Sequence, residues 1–205
     1  SMSTTGIIIG ILVAAVLLVF AEMYRELHTF RVTRYQVASP KFAGEKTWVF
    51  LSDLHNQVYG VNNCRLIDAV KKESPDLILI GGDMLVGKNG HSYEPALACV
   101  KELVKIDSLN WVRILYCYPK YFTDELIEVM ASEDKICKYV DLPLQHAHDA
   151  VLRRMNRVDT RASVEALLAK IRQRIPEVTI RSTFIVGFPG ETASQYQSLR
   201  DFIEQ

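Results

Sequence analysis

The chain has 205 residues, 49% of them hydrophobic and 23% charged, an ordinary globular composition that excludes a disordered polar chain. Lys and Arg (24) balance Asp and Glu (24), which excludes a strongly basic nucleic-acid binder; no nucleic-acid partner is expected. The four cysteines, Cys64, Cys99, Cys117 and Cys137, show no CxxC or CxxxCxxC spacing, so neither a local thiolate site nor a disulfide framework is read from them.

The first expected element is a transmembrane helix. Residues 1–21 carry no charged side chain, and Gly6 to Ala21 form an almost wholly apolar run. With Met2 to Thr5 the run approaches the roughly 20 residues that a spanning helix needs, and no polar stripe at helical spacing interrupts it. A cleaved signal peptide and a buried helix are the alternatives. Against a signal peptide, no basic residue precedes the run and no clear small-x-small site follows it. Residues 1–22 are read as an anchor, with the membrane as partner through residues 6–21, and 23–46 as a linker. Glu22, Arg25, Glu26, Arg31, Arg34, Lys41 and Lys46 follow the run, a flank more basic than the N-terminal side, which leans toward a cytoplasmic soluble part.

Next come two strand-helix units. Thr47 to Ser52 reads as a buried strand, Arg65 to Lys72 as a helix, Asp76 to Ile80 as a second strand and Glu94 to Lys105 as a second helix. This alternation implies parallel strands with crossover helices, whose sites form beyond the strand carboxyl ends. Asp53 and His55 follow the first strand at a spacing of two, which points both to one side in extended backbone. Asp83 follows Gly81-Gly82 at the end of the second. Two carboxylates and an imidazole at one rim make a metal site for a divalent ion such as Mn, Fe or Zn; a cap or turn role for Asp53 and Asp83 is the alternative.

The strings FLSDLHN and PDLILIGGDML (residues 50–56 and 75–85) resemble the start of a membrane-anchored calcineurin-like metallophosphoesterase. The resemblance implies that Asp53 and His55 bind one metal and that Asp83 bridges two, with a small phosphoester as substrate. The family's later GNH[DE] motif and His motifs are not found in this sequence.

The remaining chain reads as three more units. Trp111 to Tyr118, Tyr139 to Leu144 and Val178 to Val186 are expected strands. Thr123 to Ser132, Asp149 to Met155 and Arg161 to Arg174 are expected helices, the last with Val164, Leu167, Leu168, Ile171 and Ile175 on one face. Thr123 is a plausible N-cap, and Thr192 with Gln195 forms a capping-box pattern opening a final helix.

YVDLPLQHAHDAVLRRMNR (139–157) and TFIVGFPGET (183–192) resemble the later radical SAM barrel of methylthiotransferases that modify tRNA or a ribosomal protein. The resemblance places Gln145, His146, Arg154, Arg157, Thr183, Ile185, Gly187 and Glu191 on the side that binds S-adenosylmethionine (SAM). Helix-face charges remain the alternative for Arg154 and Arg157, and loop or capping roles for His146 and His148. The family's iron–sulfur cluster needs three thiolates, usually from CxxxCxxC, and is not expected in this chain.

The combined expectation is an α/β fold of five βα units in an open parallel sheet after the transmembrane helix. In it a metallophosphoesterase-like fragment (47–105) merges with a half TIM-barrel-like, radical SAM fragment (109–205), joined near Lys105 to Asn110. On this reading the chain is chimeric and catalytically incomplete. Its expected activity is divalent-metal binding with residual phosphoester hydrolysis; a SAM-binding remnant of a radical SAM methylthiotransferase and a silent scaffold are the alternatives. Oligomeric state is left open.

Overall fold

The computed structural model describes residues 3–41, 43–52, 54, 57–82 and 94–205. Its first element, α1 (Thr4–His28), is apolar around its circumference from Gly6 to Ala21, carries Glu22, Arg25 and Glu26 beyond that run, and packs against nothing along its membrane-length stretch. Its 25 residues would extend roughly 37 Å at about 1.5 Å per residue, more than the ~30 Å hydrocarbon layer of a bilayer. The stretch expected to be a plain linker is fastened down. Phe30 meets Tyr59 edge-on at 5.1 Å, Arg34 Nε donates to Glu73 at 3.0 Å, and Lys46 pairs with Asp76 at 2.8 Å.

Five strands follow: β1 (Trp48–Leu51), β2 (Leu77–Gly81), β3 (Trp111–Leu115), β4 (Tyr139–Asp141) and β5 (Thr179–Arg181). Helices α2 (Cys64–Lys72), α3 (Glu94–Leu103), α4 (Asp124–Ser132), α5 (Asp149–Arg154), α6 (Arg161–Arg174) and α7 (Ala193–Ile203) alternate with them. The strands run in chain order, β1-β2-β3 in one parallel sheet and β4-β5 in another. Sequential parallel order with a helix after each strand is the winding of a barrel wall, with the helices collected on one face.

The side-chain alternation shows which face that is. Register pairs Val49 with Ile78 and Ile78 with Val112; Leu51, Ile80 and Ile114 form the next row, and Val140 pairs with Ile180. These residues, most of them buried, join one core with Leu66, Ile67 and Val70 of α2, Cys99, Val100 and Leu103 of α3, Ile127 and Met130 of α4, and Val164, Leu168 and Ile171 of α6. The other face carries Trp48, Phe50, Leu79, Arg113, Tyr139, Asp141 and Arg181 at alternating positions. Trp48 and Phe50 are exposed there. The Arg113 guanidinium lies over the rings of Trp111 (5.2 Å) and Tyr139 (4.6 Å).

The structure differs from one continuous five-stranded sheet. The segment leading into β4 meets β3 through the isolated bridge Val112↔Ile136, and the segment leaving β3 meets the end of β4 through Cys117 N–H donating to the Asp141 carbonyl at 2.8 Å, with no regular ladder between the two strands. The expected strands are also longer than the observed ones, for local reasons. Tyr116 adopts a left-handed φ of 54°, which ends β3. Leu142 N–H still donates to the Arg181 carbonyl at 3.0 Å, but the next N–H on that side, Leu144, turns to the Ser182 hydroxyl, and the regular β4 ladder stops there.

The helix termini follow sequence chemistry closely. Thr123 caps α4 by accepting from Leu126 N–H. Thr160 with Ser163 and Thr192 with Gln195 form capping boxes on α6 and α7. At the other end of α4, the Lys138 ammonium donates to the carbonyls of Met130, Ala131 and Glu133, giving carbonyls left over at the helix end a cation.

Candidate functional site

Two loops at the carboxyl ends of β4 and β5 make the most organised polar assembly among the described residues. Pairing resumes beyond Pro143, where Gln145 N–H donates to the Thr183 carbonyl (2.9 Å) and Ile185 N–H donates to the Gln145 carbonyl (2.8 Å). The register passes from Asp141↔Arg181 to Gln145↔Phe184, so the β4 side holds one extra residue. Gln145 takes a φ of 69°, a conformation that costs an L residue energy and that surrounding contacts must hold. A bulge here re-aims the side chains that follow.

The next residue is one of those. His146 is fully buried, and its Nε2 lies 3.2 Å from Glu191 Oε1, itself 4% exposed. Its Nδ1 accepts from His148 N–H at 3.0 Å. An Nδ1 that accepts carries no proton, so the imidazole is neutral with its proton on Nε2, which donates to the carboxylate. Glu191 Oε2 accepts from Gly187 N–H (2.6 Å) and Phe188 N–H (3.0 Å). Removal from water pushes the Glu191 carboxyl pKa up, but the hydrogen bonds from His146, Phe188 and Gly187 outweigh this and hold it below the ordinary carboxylate range. The pair joins two segments 45 residues apart. Gly187 (φ 74°) and Gly190 (φ 78°) give the β5 loop the left-handed turns it needs.

Arg154 and Arg157 brace the same rim. Arg154 donates to the Gly190 carbonyl and to Gln195 Oε1, both at 3.1 Å. Arg157 donates to the Pro143 carbonyl at 2.8 Å and covers the Tyr118 ring at 4.2 Å. His148 accepts from Ala150 N–H and caps α5. Of the residues placed on the SAM side, Arg154 and Glu191 therefore spend their polar groups on the loops. Thr183 is exposed, and so is Ile185 at the rim, with Val186 beside it.

Sequence reasoning missed Asp141 and Arg181. Asp141 is buried at the end of β4; its Oδ2 accepts from Tyr116 N–H (3.2 Å) and Arg181 Nη1 (3.3 Å), and its Oδ1 has no hydrogen-bond partner. The signal was available, since a carboxylate alternating with Val140 in an apolar strand faces away from the helices. Asp53, His55 and Asp83, the expected metal ligands, lie outside the described residues. Among the described residues no group of three His, Cys, Asp or Glu side chains could hold a metal ion.

The radical SAM superfamily model matches residues 65–203, well over half of the chain, and the chain belongs to that superfamily. Proteins similar to it are called ribosomal protein uS12 methylthiotransferase RimO. That of Desulfitobacterium hafniense (strain Y51) is 43% identical over 143 residues, 69% of this chain and 32% of the relative. That of Alkaliphilus oremlandii (strain OhILAs) is 53% identical over 106 residues, 52% of this chain and 24% of the relative. That of Geotalea uraniireducens (strain Rf4) is 40% identical over 155 residues, 71% of this chain and 35% of the relative. The chain thus spans about a third of their length or less. A solved structure of archaeal Methanocaldococcus infernus Elp3 with an N-terminal deletion covers 76% of this chain at a TM-score of 0.41 and 14% identity.

These matches correct the sequence reading. The superfamily match is one span that crosses residues 105–110, where a junction was expected, and takes in α2 and β2. Residual metal-dependent phosphoester hydrolysis in a chimeric chain is overturned by that span and by the relatives, and the metallophosphoesterase-like half of the fold receives no support. Superfamily membership implies SAM and an iron–sulfur cluster. The loops of β4 and β5 suit the first. The thiols do not suit the second: all four cysteines are free, Cys99 is buried, and no three of them lie in CxxxCxxC.

Proposed function

We propose that this chain is the SAM-binding portion of a radical SAM protein of the methylthiotransferase type. The observation that carries this reading is the latched rim. His146 and Glu191 hold the β4 and β5 loops together, leaving Thr183, Ile185 and the unpartnered oxygen of Asp141 on the same end of the sheet. Ile185 and Val186 offer an apolar surface to an adenine ring. Thr183 and Gln145 offer polar groups to its edge, and the Gly187 turn permits close backbone approach. Asp141 Oδ1 offers an acceptor to a ribose hydroxyl or to the ammonium of the methionine end. SAM, when bound, supplies the transferable methyl group and the adenosyl group; the residues of this chain bind and orient it. Arg154 and Glu191 support the loops rather than the ligand. The relatives' names point to ribosomal protein uS12 as the acceptor in the complete protein.

Equilibrium dialysis with labelled SAM tests the proposal. Saturable retention is expected, with Ile185→Asp weakening it at least tenfold at an unchanged melting temperature because that side chain is exposed. No retention up to millimolar SAM would end the reading. We also propose that α1 inserts into a membrane, its apolar circumference and its freedom from packing both supporting this. Carbonate-resistant association with vesicles, lost on deleting residues 6–21, is the expected result.

A further inference from the structure

We infer that this chain does not assemble a four-iron cluster from its own residues, so that SAM held at the β4–β5 rim stays intact under reducing conditions. A cluster of this class needs at least three protein thiolates converging on one small inorganic core. The chain has four cysteines in all, and each of them is a described residue.

Cys64 opens α2 after β1, and Cys117 lies two residues past the end of β3. Both belong to the carboxyl rim, on either side of β2. Cys137 belongs to the opposite side. Its N–H donates to the Val112 carbonyl, near the amino end of β3, while Cys117 follows five residues after Val112. Only Val112 to Leu115 of that path is strand, with the left-handed Tyr116 after it, so at about 3.3 Å per strand residue the two backbones stand roughly 10–16 Å apart along the sheet, a span that two cysteine arms sharing one small core do not close. Cys99 is buried 1% exposed on the inner face of α3, among Val100, Leu103 and the core strands. It belongs to the helix layer, and the rim thiols stand at the sheet's end. At most two cysteines, Cys64 and Cys117, can therefore meet, which is one short.

The protonation state agrees with this placement. Burial, with the Asp141 carboxylate beside it, pushes the Cys117 thiol up to about 12, and burial with Glu102 nearby pushes Cys99 to about 11. A ligand thiolate would have to form against both desolvation and a neighbouring negative charge. The segment between β1 and α2 carries no thiol before Cys64.

The full chain is reconstituted anaerobically with ferrous iron, sulfide and dithiothreitol, desalted, and assayed for iron, sulfide and absorbance near 400 nm. The expected result is iron at or below the level retained by a Cys64→Ser/Cys117→Ser variant, with no cysteine-dependent band. About four irons and four sulfides per chain, lost in that variant, would overturn the inference. Should the chain precipitate with iron, titration with cobalt(II) reads thiolate convergence directly. Absence of an intense ultraviolet thiolate-to-metal band supports the inference, and a band of three-thiolate strength overturns it. The intact-SAM clause rests on the proposed SAM binding, and dialysis on the same sample keeps the two apart. Retained SAM recovered unchanged after dithionite agrees with both. Release of 5′-deoxyadenosine overturns the inference, while failure to retain SAM removes the binding proposal and leaves the iron count to decide.

Discussion

Glu191→Gln is a nearly isosteric change whose cost can be worked from the latch. The carboxylate serves three donors: His146 Nε2–H at one oxygen, and Gly187 and Phe188 N–H at the other. In the variant, the new side-chain NH2 must face one of those two sets. Turned toward His146, it meets Nε2–H. The ring cannot escape by moving its proton to Nδ1, because Nδ1 already accepts from His148 N–H. Turned the other way, it faces two backbone donors. The milder choice leaves one buried donor unpaired, about 1–3 kcal/mol, and weakens two charge-assisted bonds to neutral ones, about 0.5–1 kcal/mol each. The sum is about 3 kcal/mol. Urea denaturation should show this loss, and the melting temperature should fall by roughly 6–12 °C at about 2–4 °C per kcal/mol for a chain of this size. Should the loop open before the domain unfolds, the same loss appears as faster hydrogen exchange at the Gly187 and Phe188 amides. A change below about 0.5 kcal/mol in both measurements would refute the latch, since surface substitutions fall within that range.

The pH dependence of two carboxyls has opposite signs. Glu191, held low by its hydrogen bonds, contributes stability that is present above the unfolded value of about 4.3 and lost as pH falls through its folded value. The gap between wild type and Glu191→Gln should therefore narrow in urea titrations run from pH 6 down to pH 3. Asp159 is pushed up by burial, against the opposing pull of Arg157, its own backbone, Tyr118 and Lys120. Its contribution is full below about 3.9 and lost as pH rises through the folded value, so Asp159→Asn should compare better with wild type at pH 7 than at pH 3. Ile127→Ala, at a core position 1% exposed, should cost about 2–5 kcal/mol in urea; a loss under 1 kcal/mol would mean that α4 does not seat on the sheet. Lys138→Ala removes the cation from the end of α4 and should cost about 1–2 kcal/mol, read by the same denaturation, while an unchanged midpoint would remove the helix-end role of Lys138.

Local chemistry made most of the elements legible before any contact was known. Helix α6 occupies the expected residues Arg161–Arg174 because its apolar side chains repeat at helical spacing. The Thr192–Gln195 box closes as expected because both partners lie within one turn. Helix α1 contains the uninterrupted apolar run Gly6 to Ala21 and continues past it to His28. Such features depend on neighbours a few residues away, and the order of residues suffices to specify them. The resemblance of 139–157 and 183–192 to a radical SAM barrel was equally local, and the superfamily match bears it out.

Long-range contacts decided the rest. The motif at Asp83 suggested a second parentage because a short string at a strand end was weighed without the superfamily span, residues 65–203, that contains it. His146 and Glu191 were each legible as candidates, yet their bond across 45 residues exists only because β4 and β5 lie side by side. Asp141 looked like one more residue of a short strand until β3 and β5 closed around it and left one oxygen without a partner. The order of amino acids determined this protein's helices, caps and apolar faces, since each arises from forces acting within a turn or along a strand. Strand neighbours, the open face and the separation of the four thiols were decided by packing, because only the folded sheet sets which distant residues share an end of it.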